Sequence, residues 1–513
     1  MLNTYLPTLN FFSVTRLIFW IGADLLTFFL STFLQKSNIG TFYSITDITN
    51  NPRKFFEEQK FVNFSKNWFY HDYMEINKEA DLEYLKNFEN KYSIDIFELA
   101  KNDRILIKKY NPYHDFSKNE INSILENECK LFEKVLDEVK PDFFITTETA
   151  LQPHHLFYEM CKSKGVKILM FNHANWKNFC YISESRHKID NFEDLSSNHD
   201  YNINFENLRE LIQQNDLAKS HMKYFKRLRN SKLVLLKTFL NFIFSNNKNI
   251  KTHYTYFGRT KLKVFFTELM DVIKTKQRKK FIDSNLINKF HDDKPFLYLP
   301  LHQEPERSLL IAAPKFTDQI KTVKEIASNL PKNYELYVKE HPTQGVARGW
   351  RDISFYEEII NTPNVKLFHP HFDSKILLEK CKLVVSVGGT SSFEAGFFAK
   401  PSIIFADLGY SVIPSIKKLN SYNELKDEIT NSLNSSVNPN HILQYVKTLE
   451  KNSFVFDFLN FEIDYTSLFY NNGTTVDVNI TNKKMETFLF DYKSDLEKLS
   501  NEFLKKIQYI RNN

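Results

Sequence analysis

Phe296-Leu297-Tyr298-Leu299, Tyr334-Glu335-Leu336-Tyr337-Val338 and Leu383-Val384-Val385-Ser386-Val387 are short apolar runs, and each leads into a polar loop. Runs of this length, rich in β-branched and aromatic residues, read as buried strands. Helical patterns lie between them. Phe316 to Leu330 carries Ile320, Val323, Ile326, Ala327 and Leu330 on one face and stops at Pro331. A helix around Ile353–Ile360, a strand at Val365–Phe368, a helix capped by Asp373, a helix at Phe393–Ala399 and a strand at Ser402–Ala406 continue the pattern to Leu408. Strands alternating with helices give a parallel sheet covered on both faces, a Rossmann-like α/β domain.

A weaker form of this alternation lies upstream. Ile121–Val139 reads as an amphipathic helix, Asp142–Thr146 as a strand, His154–Lys162 as a helix ended by Gly165, and Val166–Phe171 as the next strand. A chain of 513 residues is too long for one core. The sequence therefore divides into an apolar helical extension at 1–50, a first Rossmann-like domain at 51–215, a basic amphipathic linker or insertion at 216–290, a second Rossmann-like domain at 291–450, and an extension at 451–513 ending in a helix over Lys484–Ile510.

In open α/β sheets ligands bind beyond the carboxyl ends of the strands. Three polar loops fall there: Leu301-His302-Gln303-Glu304-Pro305-Glu306-Arg307, Lys339-Glu340-His341-Pro342, and Gly388-Gly389-Thr390-Ser391-Ser392. The two glycines permit a tight turn and close backbone approach. The helix start behind them offers unpaired N–H groups, and the hydroxyls of Thr390, Ser391 and Ser392 add donors, which suits a phosphate. Lys339 and His341 can neutralise phosphate oxygens, and His341 can protonate a leaving phosphate. Glu394 can accept hydrogen bonds from a ribose, and it equally stabilises a helix start with no ligand. Gln303, Glu306 and Arg307 of the first loop join the donor set. Across the cleft, Glu148 is the candidate base or nucleophile, with His154 as the alternative.

Absences narrow the chemistry. No G-x-x-x-x-G-K-[ST] occurs, nor a G-x-G-x-x-G after a strand, which argues against P-loop and dinucleotide binding. No D-x-D occurs, so the charge of a bound phosphate is expected to be met by protein groups. The histidines have no metal-ligand spacing, so no metal and no cofactor are expected. Cys129, Cys161, Cys180 and Cys381 form no C-x-x-C pair, which fits buried thiols in a reducing, cytoplasmic compartment.

The net charge of +6 conceals an uneven distribution. Lys219–Lys280 holds 17 Lys and Arg against Glu268 and Asp271. Basic residues interleaved with apolar ones, as in Leu233–Leu240, point to an anionic membrane surface rather than to nucleic acid, with a solvated lysine-rich linker as the other reading. Leu17–Leu34 is apolar but contains Asp24, so it reads as a buried or interfacial helix and not as a membrane span or signal peptide.

With these loops in place, Pro295–Tyr410 resembles the capsule-polysaccharide synthesis proteins of bacteria, which include transferases of 3-deoxy-manno-octulosonic acid (Kdo). The matching pieces are Leu301-His302-Gln303-Glu304-Pro305-Glu306, Lys339-Glu340-His341-Pro342, Gly389-Thr390 with Glu394, and Lys400-Pro401. The first loop departs from the family, with Gln303-Glu304-Pro305 where Tyr-Gln-Pro is usual. The resemblance implies a GT-B fold, donor nucleotide in the second domain, acceptor in the cleft, and a CMP-activated sugar acid, Kdo or sialic acid, as donor. The leading reading is a glycosyltransferase acting on a surface polysaccharide or glycolipid acceptor, and docking through Lys219–Lys280 would set it at the inner face of the plasma membrane. On that resemblance His341 is a phosphate ligand and possible acid, and Thr390, Ser391 and Ser392 are phosphate contacts. A CDP-polyol phosphotransferase of teichoic-acid type, an epimerase of the GT-B type and a non-catalytic assembly component remain alternatives.

Overall fold

The computed structural model describes residues 14–48, 50–76, 79–190, 192, 201–215, 240, 253–291, 294–470 and 480–512. Strands β1 (Arg16–Ile21), β2 (Thr41–Thr46), β3 (Phe64–Phe69), β4 (Phe143–Thr146), β5 (Lys167–His173) and β6 (Phe179–Ser183) belong to the first sheet. Strands β7 (Phe296–Pro300), β8 (Glu335–Lys339), β9 (Val365–Phe368), β10 (Leu383–Ser386), β11 (Ser402–Ile404) and β12 (Ile416–Lys418) form the second. Strand β13 (Phe454–Val455) returns to the first sheet, whose order is β13-β6-β5-β4-β1-β2-β3. The second sheet runs β12-β11-β10-β7-β8-β9 and every pairing in it is parallel. Counted from β7, that is the doubly wound order 3-2-1-4-5-6, with its reversal between β7 and β10. The first sheet has the same reversal between β1 and β4, parallel from β3 to β5, with β6 and β13 added antiparallel. The expected architecture of two Rossmann-like α/β domains is present.

Both faces of the second sheet are covered, which is why its strands read as unbroken apolar runs. Leu297, Leu299, Leu336, Val338 and Val385 enter one core, while Phe296, Tyr298, Tyr337, Val384 and Ile404 enter the other. The second of these cores also takes in Trp176, Tyr181 and Leu208 from upstream, so apolar packing joins the two domains.

The structure corrects several boundaries. Leu17–Leu34 is not one helix: Arg16–Ile21 is β1, a central strand, and Leu26–Leu34 is the helix. The aromatic and β-branched run Leu17-Ile18-Phe19-Trp20-Ile21 favours a strand, and Gly22 to Leu25 form the turn, with Leu25 at a φ of 55°. Residues 14–48 thus begin the first domain. The C-terminal extension completes the same domain. All nine residues of helix Leu26–Leu34 are buried, and Leu496, Leu499, Phe503 and Ile507 of helix Lys493–Asn512 share their core. Residues 201–215, expected in the first domain, place Leu208 in the core of the second. Of the basic segment, the helix Lys261–Asn285 is described, while 216–239 and 241–252, with most of Leu233–Leu240, lie outside the described residues. Among the described residues no helix is long and apolar enough to cross a membrane.

Candidate active site

β10, β7 and β8 are neighbours in a parallel sheet, so the loops after them open at one edge, beside the strand-order reversal. His302 ties the first loop to the third. Its Nε2 accepts the Gly388 N–H at 3.1 Å and lies 3.3 Å from Ser386 Oγ. A neutral ring accepting at Nε2 carries its proton on Nδ1, which lies 3.8 Å from Glu306. Burial works to raise the Glu306 carboxyl, but the contact with His302 holds it below its ordinary range. The third loop is fixed further by the Gly389 N–H donating to Ser386 Oγ at 3.0 Å and by Tyr410 OH donating to the Gly389 carbonyl at 2.6 Å. Gly388 is required by packing, since a Cβ there would stand 2.7 Å from that of Ala406.

In the second loop, His341 Nδ1 accepts the Thr343 N–H at 3.3 Å and lies 2.9 Å from Thr343 Oγ1. Gln303 Nε2 donates to the same hydroxyl at 3.3 Å. The imidazole therefore carries its proton on Nε2, and burial pushes its pKa down to about 4. His341 thus presents a neutral N–H donor. An adjacent phosphate favours the charged ring, so the acid role expected of His341 depends on the anion being bound. Lys339, the last residue of β8, is buried, and its pKa is pushed down to about 8. Burial works against the charged form of both bases and an adjacent anion works for it, so the pair responds to a phosphate.

The donor set needs correction at Glu340 and Ser392. Glu340 is fully buried and committed inside the protein: it accepts from Arg351 Nε at 2.9 Å, Tyr356 OH at 2.9 Å and the His341 N–H at 2.6 Å. It shapes the loop from beneath. Ser392 is fully buried, and among the described residues its Oγ has no partner, which leaves the open side of the turn to Thr390 and Ser391. Thr390, Ser391, Pro342 and Glu394 are half-buried, with Glu394 in the first turn of helix Ser391–Phe397.

Arg351, which sequence reading missed, underlies the first two loops. It bonds Glu340, Glu304 and the His302 carbonyl, so one guanidinium braces the first two loops. Glu304 also meets Lys109 and Tyr110 of the first domain. Burial works to raise the Glu304 carboxyl, and the Arg351 and Lys109 charges hold it below its ordinary range.

The first domain faces these loops at close range. Arg307 Nε donates to the Thr149 carbonyl at 2.8 Å and lies 3.4 Å from Glu148. Glu148 also pairs with Arg186 at 2.6 Å, so the candidate base is occupied by two guanidiniums. Lys188 pairs with Asp407 at 2.6 Å, and a Cβ on Gly409 would stand 1.9 Å from the His187 carbonyl oxygen. His154 is not at the cleft surface. It is buried, stacked on Trp20 at 4.6 Å and bonded to Thr146 Oγ1 at 2.5 Å, and burial pushes its pKa well down. A carboxylate that sequence reading passed over stands at the same sheet edge: Asp24 ends the β1 loop and accepts from Thr147 Oγ1, just past β4, at 2.5 Å. It is half-buried at the first sheet's own reversal, and burial raises its pKa against the bonds from Thr147 and Leu26. Among the described residues no group of His, Cys, Asp and Glu is arranged to hold a metal ion.

Residues 208–414 match the family model of capsule polysaccharide biosynthesis protein. That stretch contains all three loops, and the resemblance carried by them is borne out. No curated protein matches the chain. Among solved structures, the β-Kdo 2,4-transferase KpsC of Thermosulfurimonas dismutans is 13% identical over 63% of this chain and 87% of that one, with a TM-score of 0.30. The UDP-GlcNAc 2-epimerase of Methanocaldococcus jannaschii is 14% identical over 85% and 100%, with a TM-score of 0.23. A glycosyltransferase of Rickettsia africae is 11% identical over 89% and 97%, with a TM-score of 0.24. These likenesses are distant.

Proposed function

We propose that the chain is a glycosyltransferase of capsule-polysaccharide synthesis, which holds a CMP-activated sugar acid such as Kdo in the second domain and a glycan or glycolipid acceptor against the first. The observation that carries this reading is the convergence of three polar loops on the β7–β10 reversal, with His302 locking the glycine turn and His341 presenting a neutral N–H. The family match over the same loops supports the capsule assignment. In this reading the donor phosphate lies among Lys339, His341, Thr390 and Ser391, and its charge is met by these groups. The acceptor hydroxyl attacks the anomeric carbon while the bond from that carbon to the phosphate oxygen breaks and its electron pair leaves with CMP. The hydroxyl proton passes to the Asp24 carboxylate, whose burial makes it a stronger base than a solvated one. Four free, buried cysteines suit a cytoplasmic location.

Thermal shift with CMP, CDP, UDP and GDP tests the donor, because a ligand of the native state raises its stability. CMP and CDP are expected to raise Tm, and His341→Ala to abolish both that rise and sugar transfer without lowering the ligand-free Tm. A response to UDP or GDP alone overturns the CMP assignment, and transfer retained by His341→Ala overturns the site. Product analysis with CMP-Kdo, CMP-sialic acid and CDP-glycerol then identifies the transferred group.

A further inference from the structure

The helix Lys261–Asn285 is oriented against the usual rule for a surface helix, which turns its apolar stripe to the core. Its one buried residue is Ile282. Leu262, Phe265, Phe266, Leu269, Met270 and Ile273 are instead between 38% and 72% exposed. At 3.6 residues per turn these six fall within an arc of roughly 140°. They form one continuous stripe along the first half of the helix. Lys274 borders the stripe on one side and Lys279 on the other, and both are exposed.

The opposite face holds the helix to the protein through polar contacts. Glu268 accepts from Tyr113 OH at 2.9 Å, Arg278 pairs with Asp352 in the second domain, and Lys263 Nζ donates to the Tyr113 carbonyl at 2.6 Å. The helix is thus pinned to both domains with its apolar side turned outward. Its support also reaches the cleft, because Lys109 and Tyr110, just before Tyr113, engage Glu304 of the first loop.

We propose that this stripe is an in-plane docking surface for an anionic lipid bilayer. An apolar face of Phe, Leu, Met and Ile flanked by lysines matches a helix lying at the headgroup boundary, with the stripe in the acyl region and the ammonium groups at lipid phosphates. A second copy of the chain fits less well: a two-fold contact through the stripe sets its lysine borders against each other. Docking in this orientation puts the cleft, one short segment away, beside the surface at which a lipid-linked acceptor is held. The proposal stands independently of the donor assigned above.

Co-sedimentation of the full chain with phosphatidylcholine vesicles, with and without phosphatidylglycerol, is the test. The full chain is expected to pellet with the anionic vesicles and less so as salt rises. Leu262→Gln/Phe266→Gln/Ile273→Gln changes only exposed positions, so its Tm and its nucleotide response should equal those of the parent. Its vesicle affinity should fall by about tenfold or more. Lys274→Gln/Lys279→Gln should weaken binding and flatten its salt dependence. Absence of binding to anionic vesicles, or equal binding by the parent and the triple variant, overturns the proposal. A concentration-dependent dimer that the triple variant loses, without vesicle binding by either protein, assigns the stripe to a second copy and overturns it as well.

Discussion

The two sheet edges that face each other are built by opposite means. At the second edge, chemistry comes in consecutive residues: Lys339 and His341 leave one strand, Gly388 to Ser391 another, and the buried ion pairs of Arg351 lie beneath them. At the first edge each element contributes about one polar group: Asp24 after β1, Thr147 and Glu148 after β4, and Arg186 beyond β6. A phosphate has several oxygens in a small volume, and a run of adjacent donors after one strand satisfies them. An acceptor hydroxyl needs one base at one point, which any strand end can supply. The first kind of site leaves a motif and the second does not.

The largest expected effect tests which carboxylate serves the first edge. Asp24→Asn should lower kcat by about 10²–10⁴, the usual worth of a general base, with little change in KM for the donor. Glu148→Gln should cost much less in kcat and act through the domain contact, because it releases Arg186 and Arg307. Steady-state kinetics on both variants decide it. A larger kcat loss for Glu148→Gln returns the base to the residue first picked from the sequence.

The second edge is tested through its brace. Arg351→Met leaves Glu304 and Glu340 buried without their shared cation, and breaking a buried pair from one side costs about 3–5 kcal/mol. Denaturant unfolding should show that loss. The double change Glu304→Gln/Glu340→Gln in the Arg351→Met background should recover part of it by removing the stranded charges. A loss under about 1 kcal/mol for Arg351→Met would mean the brace is dispensable and the loops are held by their backbone bonds alone.

What could be read in the sequence follows the same division. The ends of β7 to β11 are legible to within a residue or two, because strands buried on both faces are uniformly apolar and their loops abruptly polar, whereas the edge strand β12, Ile-Lys-Lys, carries no such run. Val365–Phe368 coincides with β9, and Tyr334–Val338 is offset by one from β8. β1 was hidden because Arg16–Ile21 and Leu26–Leu34 form one apolar stretch, in which the turn is marked only by Gly22 and Asp24. Asp24 looked like a charge to be explained away and not like a strand-end carboxylate. His154 was misleading for a related reason: a histidine at the start of a helix after a strand satisfies the pattern of a site residue, but its ring is stacked on Trp20 in the core. Arg351 has no motif at all, since it acts from a separate loop, 11 residues beyond Glu340 in sequence.

The smallest effect concerns protons, and it opposes a histidine of the second edge to a buried carboxyl of the first domain in sign. At the second edge His341 has a folded pKa of about 4, below its ordinary 6.5. The unfolded chain then binds more protons between those values, so this contribution is complete above pH 6.5 and is lost as pH falls toward 4. His155 in the first domain, held at about 3, adds to the same acid-side loss. Glu128, in the core of the first domain between Tyr70 and Gln152, behaves in the opposite way. Burial pushes its pKa up to about 8 from 4.5, so the folded chain binds the extra proton, and stability is lost as pH rises through that range. The two trends leave an optimum near pH 6.5, because above it the histidine contribution is complete and only the Glu128 loss continues. Glu128→Gln supplies an uncharged group in place of the carboxyl and should remove the alkaline-side loss, a difference of order a few kcal/mol between pH 4.5 and 9. Unfolding free energies of parent and variant across that range check it. Parallel curves would place the Glu128 proton in both folded and unfolded chains alike and leave the histidines as the source of the pH response.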